Sequence, residues 1–182
     1  MKKNLSNKNN PATQSKDKNP FYLKFNYPWR PEQIRVLDNV LEYLDDQRIH
    51  IVAAPGAGKT NLGLEIFNRM QRKTLVVSPT RLIRNQWIDR LSDFKVSHPT
   101  NQWCSTVLKQ TKFLTSTTYQ GLFSLDKKII DKQKTEGQDQ DNLQFQCIIE
   151  WFEKHQSNVL ILDEAHHLNS ECWRVLMKLV PK

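Results

Sequence analysis

No apolar run in this chain of 182 residues approaches the roughly 20 residues that a membrane-spanning helix requires. Lys2 and Lys3 could open a secretory leader, yet no apolar segment follows them, so neither a spanning helix nor a leader is expected. Cysteine is scarce as well. Cys104, Cys147 and Cys172 are odd in number, far apart and without Cys-x-x-Cys spacing, which argues against a disulfide framework and predicts reduced thiols packed as small apolar groups. Together these absences predict a soluble, cytoplasmic protein with no membrane partner. Apolar residues make up only 38% of the chain, and the shortfall is concentrated at the start. Residues 1–20 hold five lysines and one acid, with Met1, Leu5 and Ala12 as their apolar groups. Ordering such a stretch costs entropy with little burial in return, so 1–20 is predicted to be a disordered basic tail and 21–182 a single domain. The tail carries half of the formal net charge of +8, and the modest remainder suits a polyanionic partner without requiring one. No internal repeat is visible.

Against this sparse background, residues 53–60 read Ala-Ala-Pro-Gly-Ala-Gly-Lys-Thr after an apolar run. Backbone N–H groups of Gly56, Ala57 and Gly58, in the loop that Pro55 opens, can point at phosphate oxygens, Lys59 can neutralise β- and γ-phosphate charge, and the Thr60 hydroxyl can face a metal. A helix opening here adds its N-terminal dipole. Far downstream, residues 159–166 read Val-Leu-Ile-Leu-Asp-Glu-Ala-His. Four apolar residues predict a buried strand, and Asp163 and Glu164 then stand at its C-terminal end, where open α/β sheets place ligands. A solvated strand end alone would not account for a matching phosphate loop. The pair specifies a site for ATP and magnesium.

Periodicity arranges the rest. Segment 31–44 opens on Pro31 and repeats Ile34, Leu37, Leu41 and Leu44 on one helical face. A strand is expected over 48–54, a helix carrying Leu62, Ile66, Phe67 and Met70 after the loop, and a strand over 74–78. A further helix is expected to carry Ile83, Trp87, Leu91 and Phe94. A short strand at 112–116 is predicted to lead into a helical turn at 119–123, followed by a mobile polar connection over 126–142. A helix with Phe145, Ile148, Ile149 and Phe152, the strand ending at Asp163, and a last helix with Cys172, Trp173, Leu176 and Leu179 complete the chain. The βαβα order predicts a parallel sheet covered by helices.

At this point the chain resembles the first RecA-like lobe of a superfamily 2 helicase or translocase of the DEAD/DEAH-box-like kind, with the restriction-enzyme branch included. The resemblance covers about 25–180 and implies a three-layer RecA-like P-loop fold with a mainly parallel central sheet. Ala53 stands where that family's loop, Ala-x-x-Gly-x-Gly-Lys-Thr, has its alanine, and residues 163–166 match Asp-Glu-x-His. The resemblance implies that Asp163 holds magnesium through its water shell, that Glu164 orients or activates the attacking water, and that His166 couples the nucleotide site to nucleic acid. His167 acquires no such role and is expected to be exposed. Residues 29–33, Trp-Arg-Pro-Glu-Gln, resemble the element whose glutamine reads adenine, which implicates Gln33. Ser78-Pro79-Thr80-Arg81, followed by Gln86-Trp87, resembles a motif that clamps one strand's backbone, with Thr80 and Arg81 as the contacts. Thr80 is also a candidate helix cap. Residues 115–120, Thr-Ser-Thr-Thr-Tyr-Gln, resemble an element of double-strand translocases and add Thr118 and Tyr119 as nucleic-acid contacts.

The resemblance also implies a third motif and a second RecA-like lobe, in the same or an associated chain, whose arginines reach the γ-phosphate. Neither lies within these 182 residues, so the chain is expected to be a lobe truncated before the third motif and nearly inactive in isolation. DNA is the expected partner, with RNA as the alternative. The rival readings are a P-loop NTPase acting on a protein partner and a non-catalytic assembly module.

Overall fold

The computed structural model describes residues 22–43, 49–124, 152–154, 159–168, 173 and 176. Its elements run β1 (Leu23–Phe25), α1 (Pro31–Glu42), α2 (Lys59–Met70), β2 (Thr74–Ser78), α3 (Arg81–Asp89), β3 (Phe94–Val96), α4 (Thr100–Trp103), β4 (Cys104–Ser105), β5 (Leu114–Thr118) and β6 (Val159–Leu162). Short 3-10 turns occupy Arg90–Asp93, Leu108–Gln110 and Ala165–His167, and 119–124 is helical.

The strand β2 is buried at all five positions because it is covered on both faces, as its run of Leu75, Val76 and Val77 anticipates. It pairs in parallel with β5 on one side and β6 on the other, and β4 extends the sheet to the order β4-β5-β2-β6. Side chains alternate across the pleat. Val76 and Leu114 face a core built with Leu64 and Phe67 of α2, Trp87 of α3 and Trp103 of α4. Leu75 and Val77 face the opposite core with Leu108, Tyr119, Leu122, Phe152 and Leu176. The result is an α/β fold of three layers with a parallel central sheet, as expected of a RecA-like P-loop arrangement. A third cluster joins Leu37 and Val40 of α1 to Leu62 and Ile66 of α2. Among the described residues, no helix is long and apolar enough to cross a membrane.

Several boundaries differ from the sequence expectations. Residues 49–54 form no ladder with any described residue, and Val52 is 83% exposed, so the strand expected over 48–54 is absent there. The buried stripe of α1 is Gln33, Leu37 and Val40, with Ile34 exposed, because α1 packs by the side that meets α2. Phe94 leaves the expected helix: α3 ends at Asp89, a 3-10 turn intervenes, and Phe94 opens β3. That strand pairs antiparallel with β1, outside the main sheet. Asn68 of α2 serves as a further edge for β1, accepting from Leu23 N and donating to Leu23 O, both at 3.0 Å. The strand expected at 112–116 forms two residues later, as β5.

Cys104 is buried and unpaired, and burial pushes its thiol up to about 12, which keeps it protonated and inert. Cys147, Cys172, the basic tail, the connection at 126–142 and the helix positions 145–149 and 179 lie outside the described residues. Of the last expected helix, Leu176 is fully buried and Trp173 is half exposed.

Candidate active site

A parallel sheet gathers the C-terminal ends of its strands at one edge. Ser78 is the register partner of Thr118 across β2 and β5, and Val77 is the partner of Leu162 across β2 and β6. Asp163 continues the ladder by one bond, its N–H donating to Val77 O at 2.9 Å. The chain then turns sharply at Glu164, whose φ of 49° is left-handed and rare for a residue with a side chain.

The phosphate loop reaches this edge from α2. Gly56 and Gly58 have φ of 77° and 81°, in the region that favours glycine. Gly58 is constrained twice, since a Cβ built there would come within 2.6 Å of Gln33 Nε2. Gln33 is nearly buried and acts as a strut. Its amide oxygen accepts from Arg30 N at 3.0 Å, satisfying a free donor at the start of α1, and its nitrogen donates to Ala57 O at 2.9 Å. Arg30 adds a longer contact to Gly56 O at 3.4 Å. Stacking of Phe25 on Trp29, with ring centroids 4.1 Å apart, and tilted contacts of both with Phe94 anchor the chain as it enters α1. Gln33 is thus no solvent-facing filler, and its present partners are backbone atoms.

The two halves of the site meet at Lys59. Its Nζ lies 3.0 Å from Glu164 Oε1 and donates to Ala53 O at 3.4 Å. The hydrogen bond from Lys59 holds the Glu164 carboxyl below the usual carboxylate range, so it is an anion at neutral pH. His166 Nδ1 stands 3.4 Å from Glu164 Oε2, and its ring faces that of His167 at 4.2 Å, both residues exposed. Asp163 is held differently. Its Oδ2 accepts from Trp87 Nε1 at 2.7 Å, and its carbonyl accepts from Tyr119 OH at 2.9 Å.

Thr60 sits in the first turn of α2 beside Lys59. Among the described residues, no group of three or more His, Cys, Asp or Glu side chains could cage a metal. A magnesium ion needs only one or two protein oxygens and completes its shell with water and phosphate. Thr60 and Asp163 are the residues that would hold it.

The nucleic-acid candidates divide. Thr80 caps α3, its hydroxyl accepting from Ile83 N at 3.2 Å, and Arg81 beside it is exposed. Thr118 Oγ1 accepts from Gly121 N at 3.0 Å. Tyr119 points inward; burial, with Asp163 and Glu164 nearby, pushes its phenol well above its ordinary range and keeps it a donor. Sequence reasoning placed Trp87 in an apolar stripe and overlooked its reach to Asp163. The available signal was that a buried indole N–H demands an acceptor.

Residues 26–182 match the family model described as "Type III restriction enzyme, res subunit". The chain is also 27% identical over 137 residues to "Putative ATP-dependent RNA helicase QP509L" of African swine fever virus, strain Badajoz 1971 Vero-adapted, a match covering 72% of this chain and 23% of that protein. Proteins of the same name from the isolates Tick/South Africa/Pretoriuskop Pr4/1996 and Warthog/Namibia/Wart80/1980 are similar at the same 27%, over 22% of their length. The chain therefore matches less than a quarter of the length of these curated relatives. With the phosphate loop, the Asp163–Glu164 turn and a family match running from residue 26 to residue 182, the chain belongs to the type III restriction enzyme res-subunit family, as a superfamily 2 helicase-like domain of RecA-like fold.

Proposed function

We propose that this chain is the ATP-binding lobe of a nucleic-acid-dependent ATPase, a DNA helicase or translocase that hydrolyses ATP to ADP and phosphate in the full enzyme. The observation that carries this reading is the 3.0 Å approach of Lys59 Nζ to Glu164 Oε1, which brings a phosphate-neutralising cation and a water-activating carboxylate to one point. Without nucleotide the two neutralise each other. A polyphosphate on the loop offers Lys59 a stronger partner, so the ammonium turns to the β- and γ-phosphates and frees Glu164 to direct a water or take its proton. The N–H groups of residues 56–58 and the N-terminus of α2 hold the phosphates, and Gln33 exchanges the Ala57 carbonyl for the adenine edge. Magnesium, when bound, supplies positive charge to the phosphate oxygens, with Thr60 and Asp163 as its protein partners.

Arg81 and the first turn of α3 offer a cation and backbone amides to a sugar-phosphate strand, with Thr118 on the neighbouring strand end, and His166, 3.4 Å from Glu164, couples that strand to the nucleotide site. An exposed arginine at a capped helix start favours nucleic acid over a protein partner. A second lobe, in the same or an associated chain, supplies the arginines that complete hydrolysis, a contribution of about 10³–10⁵ in related enzymes.

Glu164→Gln tests the reading. ATP binding is expected to be kept or slightly improved, since a negative charge near the polyphosphate is removed, while single-turnover hydrolysis in the full two-lobed enzyme falls by about 10²–10⁴. Hydrolysis at the unsubstituted rate would overturn the assignment. Stimulation of the full enzyme by duplex DNA over RNA is expected, and the reverse preference would replace DNA with RNA.

A further inference from the structure

We propose that Trp87 and Tyr119 are positioning residues for Asp163, two aromatic donors that fix its carboxylate and its carbonyl and tie the segments 78–87 and 115–120 to the nucleotide edge of the sheet. The metal-holding part of this proposal rests on the function proposed above; the grip itself does not.

The grip is short and partly buried. Trp87 is 2% exposed, and its Nε1 donates to Asp163 Oδ2 at 2.7 Å, the range of a charge-assisted bond. Tyr119, also buried, donates to Asp163 O at 2.9 Å, and Asp163 N donates to Val77 O at 2.9 Å. The N–H, the carbonyl and one carboxylate oxygen of Asp163 are therefore all committed to the protein. A carboxylate with one oxygen tethered has its torsion set, so Oδ1 is aimed before any metal or water arrives. The donor is fixed in turn from the phosphate-loop helix. A Cβ built on Gly63, one turn after Lys59, would collide with the Trp87 ring, so α2 and the indole are in direct contact. Trp87 also lies less than two turns along α3 from Thr80 and Arg81, and Tyr119 directly follows Thr118. A strand that shifts the start of α3 or the end of β5 thus moves a donor bonded to Asp163.

The experiment uses the 182-residue chain with Trp87→Phe and Tyr119→Phe, each alone and combined with Asp163→Ala. Phenylalanine removes the donor in both cases, and at position 87 it also gives up part of the buried indole's packing. Thermal unfolding is measured for every variant, and ATP affinity is measured with and without magnesium for the single variants. Trp87→Phe is expected to lower Tm by roughly 3–8 °C more when Asp163 is intact than in the Asp163→Ala background, the lost indole packing being common to both. Tyr119→Phe is expected to lower Tm in both backgrounds, because its acceptor is a backbone carbonyl that the substitution of Asp163 leaves in place. Magnesium-free ATP affinity is expected to stay within about twofold, while the gain conferred by magnesium drops about tenfold for Trp87→Phe and about threefold for Tyr119→Phe. Equal Tm losses for Trp87→Phe in both backgrounds would overturn the grip. An unchanged magnesium gain would overturn the positioning role. An unsubstituted chain that binds no ATP would instead overturn the proposed function, with the thermal cycle still deciding the grip.

Discussion

Residues 49–54 and 74–78 are both short, largely apolar stretches followed by a turn and a helix, yet only the second is a strand. β2 has a parallel neighbour on each side and helices over both faces, and Val76 is fully buried. Residues 49–54 have no ladder partner among the described residues, and Val52 is 83% exposed. Composition nominated both; hydrogen-bonded neighbours and a cover on each face selected one. The two sides of the site inherit this difference. Asp163 is an extension of the ladder, locked by three hydrogen bonds from the core. The phosphate loop is held by polar contacts from Gln33, Arg30 and Lys59, which a ligand can replace.

The sharpest way to break the comparison is a matched pair of truncations. Leu75→Ala in β2 is expected to cost about 2–5 kcal/mol of unfolding free energy, whereas Val52→Ala stays within about 0.5 kcal/mol. Chemical denaturation of both variants measures it, and equal losses would mean that 49–54 is packed as firmly as β2. Within the loop, Gly58→Ala meets both a left-handed φ and the Gln33 amide, so a cost of about 2 kcal/mol or more and a loss of ATP affinity are expected. Gly56→Ala has open space around the new methyl and suffers the backbone strain alone, about 1 kcal/mol. Calorimetric ATP titration and denaturation of the two variants separate these effects.

The smallest effect lies where the two sides touch. The folded state holds Glu164 below its ordinary value of 4.5, so the Lys59–Glu164 pair contributes fully above about pH 4.5 and is lost as pH falls through the depressed value. A partly exposed pair of this kind is worth about 0.2–1 kcal/mol. Stability measured between pH 3 and 6 should therefore fall less steeply for Glu164→Gln than for the unsubstituted chain by about that amount. Parallel profiles would show that the pair does not join the two regions in solution.

The chain itself determined the helix at 59–70, the strand at 74–78 and the strand ending before Asp163, because helical and strand periodicities are local and the phosphate loop carries its own backbone chemistry in Gly56 and Gly58. It also nominated Lys59, Asp163 and Glu164 before any contact was known. Tertiary structure alone decided the antiparallel pairing of β1 with β3, since strands of three residues hold too little pattern to read. It turned α1 onto Gln33 and Val40 in place of Ile34, because the buried face of a helix is whichever side a neighbour covers. It left 49–54 without a ladder and gave Asp163 two donors from 76 and 44 residues away. Such contacts depend on which distant surfaces the fold apposes, and a buried indole or phenol finds its acceptor only after the core around it has closed.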